Sequence, residues 1–223
     1  ISADGEYIIA GSYDRKLYLF DKDSSTPLWS YEFSEEPESI AISADGEYIA
    51  ASSENKVYLF DKDSSTPLWS YSTGGDARAV SISADGEYIV AGSDNKKVYL
   101  FDKDSSTPLW SYTGGSPVRA VAISSNGTYI TAGSGNYIYF FDRDSSTPLW
   151  SYNSNLNSMG PVAISADGEY ITSGCACKNT YLFDKDSSTP LWVYNTDDAV
   201  QGIDISADGN HIIAGSYDDN LYF

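Results

Sequence analysis

Two phrases alternating at a fixed period, a hairpin signal in each period and no stretch of helical periodicity together predict an all-β fold. The expected architecture is a β-propeller of four-stranded antiparallel blades. The first phrase, ISADGEYI, begins at Ile1, Ile42, Ile82, Ile123 (as ISSNGTYI), Ile164 and Ile205 (as ISADGNHI), so the steps are 41, 40, 41, 41 and 41 residues. The second, FDKDSSTPLWSY, stands at Phe20–Tyr31, Phe60–Tyr71 and Phe101–Tyr112. It returns with Arg143 for Lys at Phe141–Tyr152 and with Val193 for Ser at Phe183–Tyr194. A repeat of this length means stacked supersecondary units, and roughly 40–45 residues is the length of a propeller blade.

Each unit reads as four short strands, a to d. Strand a resembles Ala79–Ser83, with Val80 and Ile82 on one face and small residues such as Ala41, Ser81, Ala122 and Ala163 between, which suits a crowded position near a central axis. Asp-Gly follows, a strong short hairpin signal, and then strand b, as in Tyr88–Gly92. Strand c, as in Val98–Phe101, is apolar at every position, as a sheet covered on both faces requires. Asp102 and Asp104 then mark a tight c–d turn, where Asp and Ser side chains bond the local backbone. Pro108 opens strand d, Leu109–Tyr112, since an outer edge strand tolerates proline. Trp29, Trp69, Trp110, Trp150 and Trp192 occupy one repeat position, and each is expected to be buried against the following blade.

Strands b and c occur six times and strand d five times. The chain therefore reads as one propeller domain over residues 1–223, about 5.5 repeats with six blades visible and incomplete blades at both ends. Six near-identical wedges should turn through a full circle, which places blades 1 and 6 side by side. A start at Ile1 rather than Met also fits a segment of a longer array.

The net charge of −19 argues against nucleic acid as a partner, because a phosphate backbone calls for a basic surface. No stretch reaches the roughly 18 apolar residues of a membrane-spanning helix, so membrane insertion is not expected. Nineteen of the 32 acidic residues and only five of the 13 basic ones lie in the two constant phrases. Much of the negative charge is thus one acidic motif multiplied by duplication.

The segment NKKVYLFDKDSSTPLWSYTGG (Asn95–Gly115) resembles the repeat of pyrroloquinoline-quinone-type (PQQ-like) propellers, with its turn Asp and blade-closing Trp. ISADGEYIVAGSDNKKVYLFD (Ile82–Asp102) is similar to the WD40 repeat and to the YVTN repeat of surface-layer propellers. The resemblance covers the whole chain. It implies a scaffold or surface domain, with an extracellular or cell-envelope location favoured over a cytoplasmic one. Two departures bear on activity. The WD40 pattern closes on Trp-Asp where this chain has Phe-Asp, and quinoprotein dehydrogenases pair directly adjacent cysteines where this chain has Cys175-Ala176-Cys177. No quinone-binding or catalytic residue matches by motif. The expected protein is non-catalytic and needs no cofactor, with a quinoprotein-like oxidoreductase or a blade array within a large cell-surface protein as the alternatives.

Several residues invite chemistry and have a plainer explanation. Asp-Lys-Asp-Ser-Ser-Thr starts like a calcium loop, but its sixth position is Thr (Thr26, Thr66, Thr107) rather than Gly, and the twelfth is acidic only at Glu32; a turn held by Asp side chains is expected and no metal site. Cys175 and Cys177 lack further Cys or His ligands nearby, and an i, i+2 disulfide would be strained, so two free thiols are expected. His211, the only histidine, replaces a strand-b tyrosine. Asn126-Gly127-Thr128 is a glycosylation sequon that also stands where the hairpin turn does.

Function is expected at the other end of the blades. The a–b and c–d turns share one end and hardly vary, whereas the b–c and d–a loops share the opposite end and differ in every unit. Loops on a rigid scaffold commonly carry binding. Four residues before each strand-a Ile stand Glu38, Arg78, Arg119, Gly160 and Gln201, in a row around the channel mouth. Arg78 and Arg119, from neighbouring blades, are expected either to hold an anionic group of a ligand or protein partner, or to pair with Glu38 or Asp76. Tyr13, Tyr137 and Tyr217 are the expected aromatic contacts around that mouth, with Glu38 and Gln201 beside them.

Overall fold

The structure, a computed structural model, describes residues 1–155 and 159–223; Leu156, Asn157 and Ser158 of the polar loop after blade 4 lie outside them. The described residues form six antiparallel sheets in sequence order, four of them four-stranded and the first and last three-stranded. In blade 3, strands a to d are Ala77–Ile82, Tyr88–Ser93, Lys97–Asp102 and Trp110–Thr113. Blade 1 has strands b to d (Tyr7–Ser12, Lys16–Asp21, Trp29–Glu32), and blade 6 has strands a to c (Val200–Ile205, Ile212–Ser216, Leu221–Tyr222). No helix long and apolar enough to cross a membrane is present among the described residues.

The hairpins form where the turn chemistry places them. In blade 3, the Ser83 hydroxyl donates to Asp85 Oδ1 at 2.5 Å and accepts from the Tyr88 N–H at 3.0 Å. Asp85 also accepts from the Glu87 N–H at 3.0 Å, and Gly86 takes a left-handed φ of 72°. In the c–d turn, Asp102 Oδ1 accepts the Asp104 N–H at 2.9 Å and Ser105 Oγ accepts the Thr107 N–H at 3.0 Å. The first aspartate of the phrase is therefore spent on its own turn. Lys103 ties the two turns together, bonding Glu87 at 3.3 Å and Asp104 at 3.2 Å, and Lys62 and Lys185 repeat the arrangement in blades 2 and 5.

Strand c shows why an uninterrupted apolar run is needed. Val98 and Leu100 face blade 4 and join Ile130, Ala132, Tyr139 and Phe141, while Tyr99 and Phe101 face blade 2 and join Val57 and Leu59. Alternate side chains of one strand thus build two different joints. The tryptophans add to them: Trp110 Nε1 donates to the Arg143 carbonyl of the next blade at 2.6 Å, and its ring lies 5.4 Å from Phe141. Trp29, Trp69 and Trp150 make the same bond to the carbonyls of Lys62, Lys103 and Lys185. These four are only half-buried, being the outermost layer of each joint, and Trp192 is 40% exposed. Of the five equivalent contacts expected of the tryptophans, four form and Trp192 stands at an open position.

At the constant end the joint is drawn tight by backbone. The N–H groups of Ala3, Ala44, Ala84, Ser125 and Ala166 each donate to the equivalent carbonyl of the following blade. From blade 2 onward the glycine of each a–b turn lies against the strand-b tyrosine of the blade before it: a Cβ on Gly86 would come within 2.5 Å of Tyr48 Cδ2, and one on Gly127 within 2.5 Å of Tyr88 Cδ2.

The two ends of the array are open. Ile49, Ile89, Ile130 and Ile171 are fully buried against the preceding blade, whereas Ile8 at the same register is 38% exposed. On the opposite face, Leu17 and Leu19 are fully buried against blade 2, yet Leu221 and Phe223 at the same registers in blade 6 are 70% and 89% exposed. Blades 1 and 6 therefore do not cover each other, and the expected closed six-blade ring is not what forms. Both terminal faces are left uncovered among the described residues.

Candidate functional site at the variable end

Every b–c turn holds one residue in the left-handed region. Arg15, Glu54, Lys96, Lys178 and Asp219 take positive φ between 51° and 73°, and Gly135 takes φ 57° in blade 4. A left-handed φ at a residue with a Cβ costs about 1–2 kcal/mol, so these turns hold their shape through their neighbours. In blade 3 the Ser93 hydroxyl donates to the Gly75 carbonyl at 3.0 Å, and Asn95 Nδ2 donates to Tyr99 Oη at 2.6 Å and to the Thr73 carbonyl. Ser53, Ser134 and Ser216 donate in the same way, so four of the b–c turns are fastened by a serine to the d–a loop beside them.

Arg78 is the most heavily bonded side chain at this end. Its guanidinium reaches Glu38 at 2.7 Å, Asp76 at 2.8 Å and Asp94 at 2.7 Å and 2.9 Å. The hydrogen bonds it donates to Asp94 foremost hold its pKa above the usual guanidinium value. Arg119 is 69% exposed, and its Nε lies 3.9 Å from Asp94 Oδ1, an oxygen buried without a hydrogen bond. Three carboxylates thus surround two guanidinium groups. The expectation of a free two-arginine clamp for an anion is corrected: Arg78 donates four hydrogen bonds to carboxylates, and the cluster is net negative. The pairing with Glu38 and Asp76 that the sequence left open is the one that forms, and Asp94 joins it.

The tyrosines divide. Tyr13 and Tyr217 stand at the same b–c position in blades 1 and 6 and are 94% and 68% exposed. Tyr137 opens strand c of blade 4, is half-buried, and stacks on Tyr139 with ring centroids 5.6 Å apart. Burial, more than any neighbouring charge, pushes the Tyr139 hydroxyl up to about 12. Tyr137 is corrected from a contact residue to a packing residue, because the strand begins there and carries its ring onto the sheet. Gln201 is exposed on strand a of blade 6.

Tyr13 and Glu38 come together in a cleft of about 750 Å³ between blades 1 and 2, lined also by Gly11, Ser12, Glu36 and Pro37. Glu36 and Glu38 give it a negative wall, Tyr13 an aromatic one, and Glu38 links it to Arg78. Glu36 was not anticipated; its place in the acidic loop Glu32–Glu38 was the available signal. The two cysteines also differ from expectation. Cys175 and Cys177 are joined in a disulfide, since the b–c turn brings their Cα atoms to 5.0 Å, inside the usual range for a bridge.

The family model described as outer membrane protein assembly factor BamB matches residues 1–194, nearly the whole array. The chain belongs to this PQQ-like repeat family. Residues 188–223 match the model described as WD domain, G-beta repeat, so the last units carry the second of the two likenesses read from the sequence. No curated protein matches the chain. Among solved structures, a chain in the crystal structure of a mitotic checkpoint complex superposes with a TM-score of 0.84 at 18% identity, covering 99% of this chain and 74% of that one. At that identity the likeness shows the fold, and the fold is the β-propeller.

Proposed function

We propose that this propeller is a non-catalytic protein-interaction scaffold that engages its partner through the variable end, centred on the Tyr13–Glu36–Glu38 cleft. The observation that carries this reading is the cleft itself: an exposed aromatic ring beside two carboxylates, on the only end that differs between blades. Aromatic anchors dominate binding energy at interfaces, and a negative wall selects a basic side chain. A lysine or arginine of a partner protein would lie along the Tyr13 ring with its charge toward Glu36 and Glu38. The constant end offers nearly the same turn at every blade, with its lysines already held between carboxylates, and so distinguishes one partner poorly from another. The family description, an outer-membrane assembly factor, supports a cell-envelope setting over the cytoplasm, and so does the disulfide.

Fluorescence anisotropy with matched basic and acidic peptides tests this. The basic peptide should bind the wild-type protein, and Tyr13→Ala with Glu36→Gln should weaken it at least five-fold. Asp63→Ala with Asp104→Ala, in the constant turns, should leave it unchanged. Loss of binding only in the second variant would move the site to the repeated acidic turns, and preference for the acidic peptide would reject the charge assignment.

A further inference from the structure

Blade 5 departs from its siblings at two positions that elsewhere fasten the b–c turn. Cys175 stands where the other units have Ser12, Ser53, Ser93, Ser134 and Ser216. Four of those serines donate to a d–a loop carbonyl 18 residues earlier: Glu35, Gly75, Ser116 and Asp198. Cys177 stands where blade 3 has Asn95, which bonds Thr73 and Tyr99. Blade 5 thus replaces a pair of polar fasteners by two sulfurs and joins them to each other, at a sequence separation of 2.

The two sulfurs sit in different surroundings. Cys175 is fully buried at the end of strand b, in the cluster with Ile138, Phe140 and Tyr181. Cys177 is partly exposed on the turn, its Sγ 3.7 Å from Tyr181 Oη. The Asn179 N–H points at Cys175 Sγ from 3.4 Å. An N–H donor stabilises a thiolate, so Cys175 is placed as the leaving sulfur and Cys177 as the one an incoming thiol reaches.

We propose that Cys175–Cys177 is a reversible thiol–disulfide exchange site for small thiols, set on the variable end of the propeller. A small-molecule thiolate attacks Cys177 Sγ along the S–S axis. A mixed disulfide forms, the Cys175–Cys177 bond breaks, and its electron pair leaves on Cys175, which takes a proton from water. A second small thiolate then attacks the small-molecule sulfur of the mixed disulfide and releases Cys177. The net reaction converts one protein disulfide and two small thiols into a protein dithiol and one small disulfide, and it runs backward with an oxidised small disulfide. Attack at the accessible sulfur and departure of a stabilised thiolate are the features that speed such exchange.

The fold permits the exchange without unfolding. Strands b and c of blade 5 stay paired from Tyr170 with Asp184 to Gly174 with Thr180, independently of the turn. The disulfide closes a very short loop, so it adds little constraint to the unfolded chain.

The test is differential alkylation read by mass spectrometry on protein purified without reductant. Iodoacetamide in denaturant should add nothing before reduction. After native incubation with glutathione or dithiothreitol it should add two groups, with the far-ultraviolet circular dichroism unchanged. Single variants give a second readout. Cys175→Ser restores the serine of the other blades and should leave a Cys177 thiol that reacts with a disulfide reagent at least ten-fold faster than the Cys175 thiol of Cys177→Ser. Alkylation of both cysteines in unreduced protein would overturn the proposal. So would reduction that succeeds only in denaturant, or equal or reversed rates in the two variants.

Discussion

Gly86→Ala tests whether the repeated Asp-Gly serves the turn alone or also the joint between blades. Gly86 has φ 72°, and a methyl group there would meet Tyr48 Cδ2 at 2.5 Å, well inside contact distance. The backbone conformation alone should cost about 1–2 kcal/mol. Displacing a packed ring should add about 1–3 kcal/mol, for a total of about 2–5 kcal/mol. In a Tyr48→Ala background the ring is gone, and the same substitution should cost only the backbone part. The coupling between the two sites is then about 1–3 kcal/mol, which a double-mutant cycle resolves. Urea unfolding followed by tryptophan fluorescence supplies the four stabilities. Equal cost of Gly86→Ala in both backgrounds would refute the reasoning and return the glycine to turn chemistry alone.

Two further expectations concern stability and pH. Trp110→Ala removes a hydrogen bond to Arg143 and a half-buried ring and should cost about 2–4 kcal/mol, whereas Trp192→Ala, at a position 40% exposed, should cost under about 1 kcal/mol in the same urea assay. Hydrogen bonds from Ser206 first and Asn210 second hold the Asp208 carboxyl down at about 2 against an ordinary 3.8. Its folded value is depressed, so its contribution to stability is present above about pH 4 and is lost as pH falls through about 2. A carboxyl NMR titration should place its midpoint near 2, and Ser206→Ala should raise it.

The blades were legible because their signals are local and repeated. Asp-Gly makes the a–b turn from residues that touch within one hairpin, and the apolar run at Val98–Phe101 needs only alternation to reveal two covered faces. What the local pattern hides is contact across one period. Tyr48 and Gly86 each recur in nearly every unit, yet nothing near either in sequence says that they meet. The same holds for curvature. Identical joints make an array, but whether six of them close depends on the angle per joint, which side-chain identity does not disclose. Exposed Ile8 and Leu221 disclose it in the structure. The disulfide was missed for a third reason. The strain expected of an i, i+2 bridge holds for a generic chain, whereas the turn at Ala176 already brings the two Cα atoms to 5.0 Å.

The candidate cleft took its charge from the repeat register in a way the sequence row could suggest but not decide. Glu38, Arg78 and Arg119 occupy one register in consecutive blades, so each can face only its neighbours in that row and the loops beside them. Arg78 lies between an acid and a base of like sign to itself. Its fork turns to Glu38, and Asp94 comes between the two guanidinium groups and answers both. Once Arg78 is answered, it cannot also hold a ligand anion without giving up a carboxylate, and charge-assisted bonds of this kind are the strong ones. What stays available at the mouth is the outer side of the row: Glu36 with Tyr13 beside it. Residue types alone therefore left the sign of the site open between an anion clamp and an internal pairing, because which charges are already answered is a property of the fold.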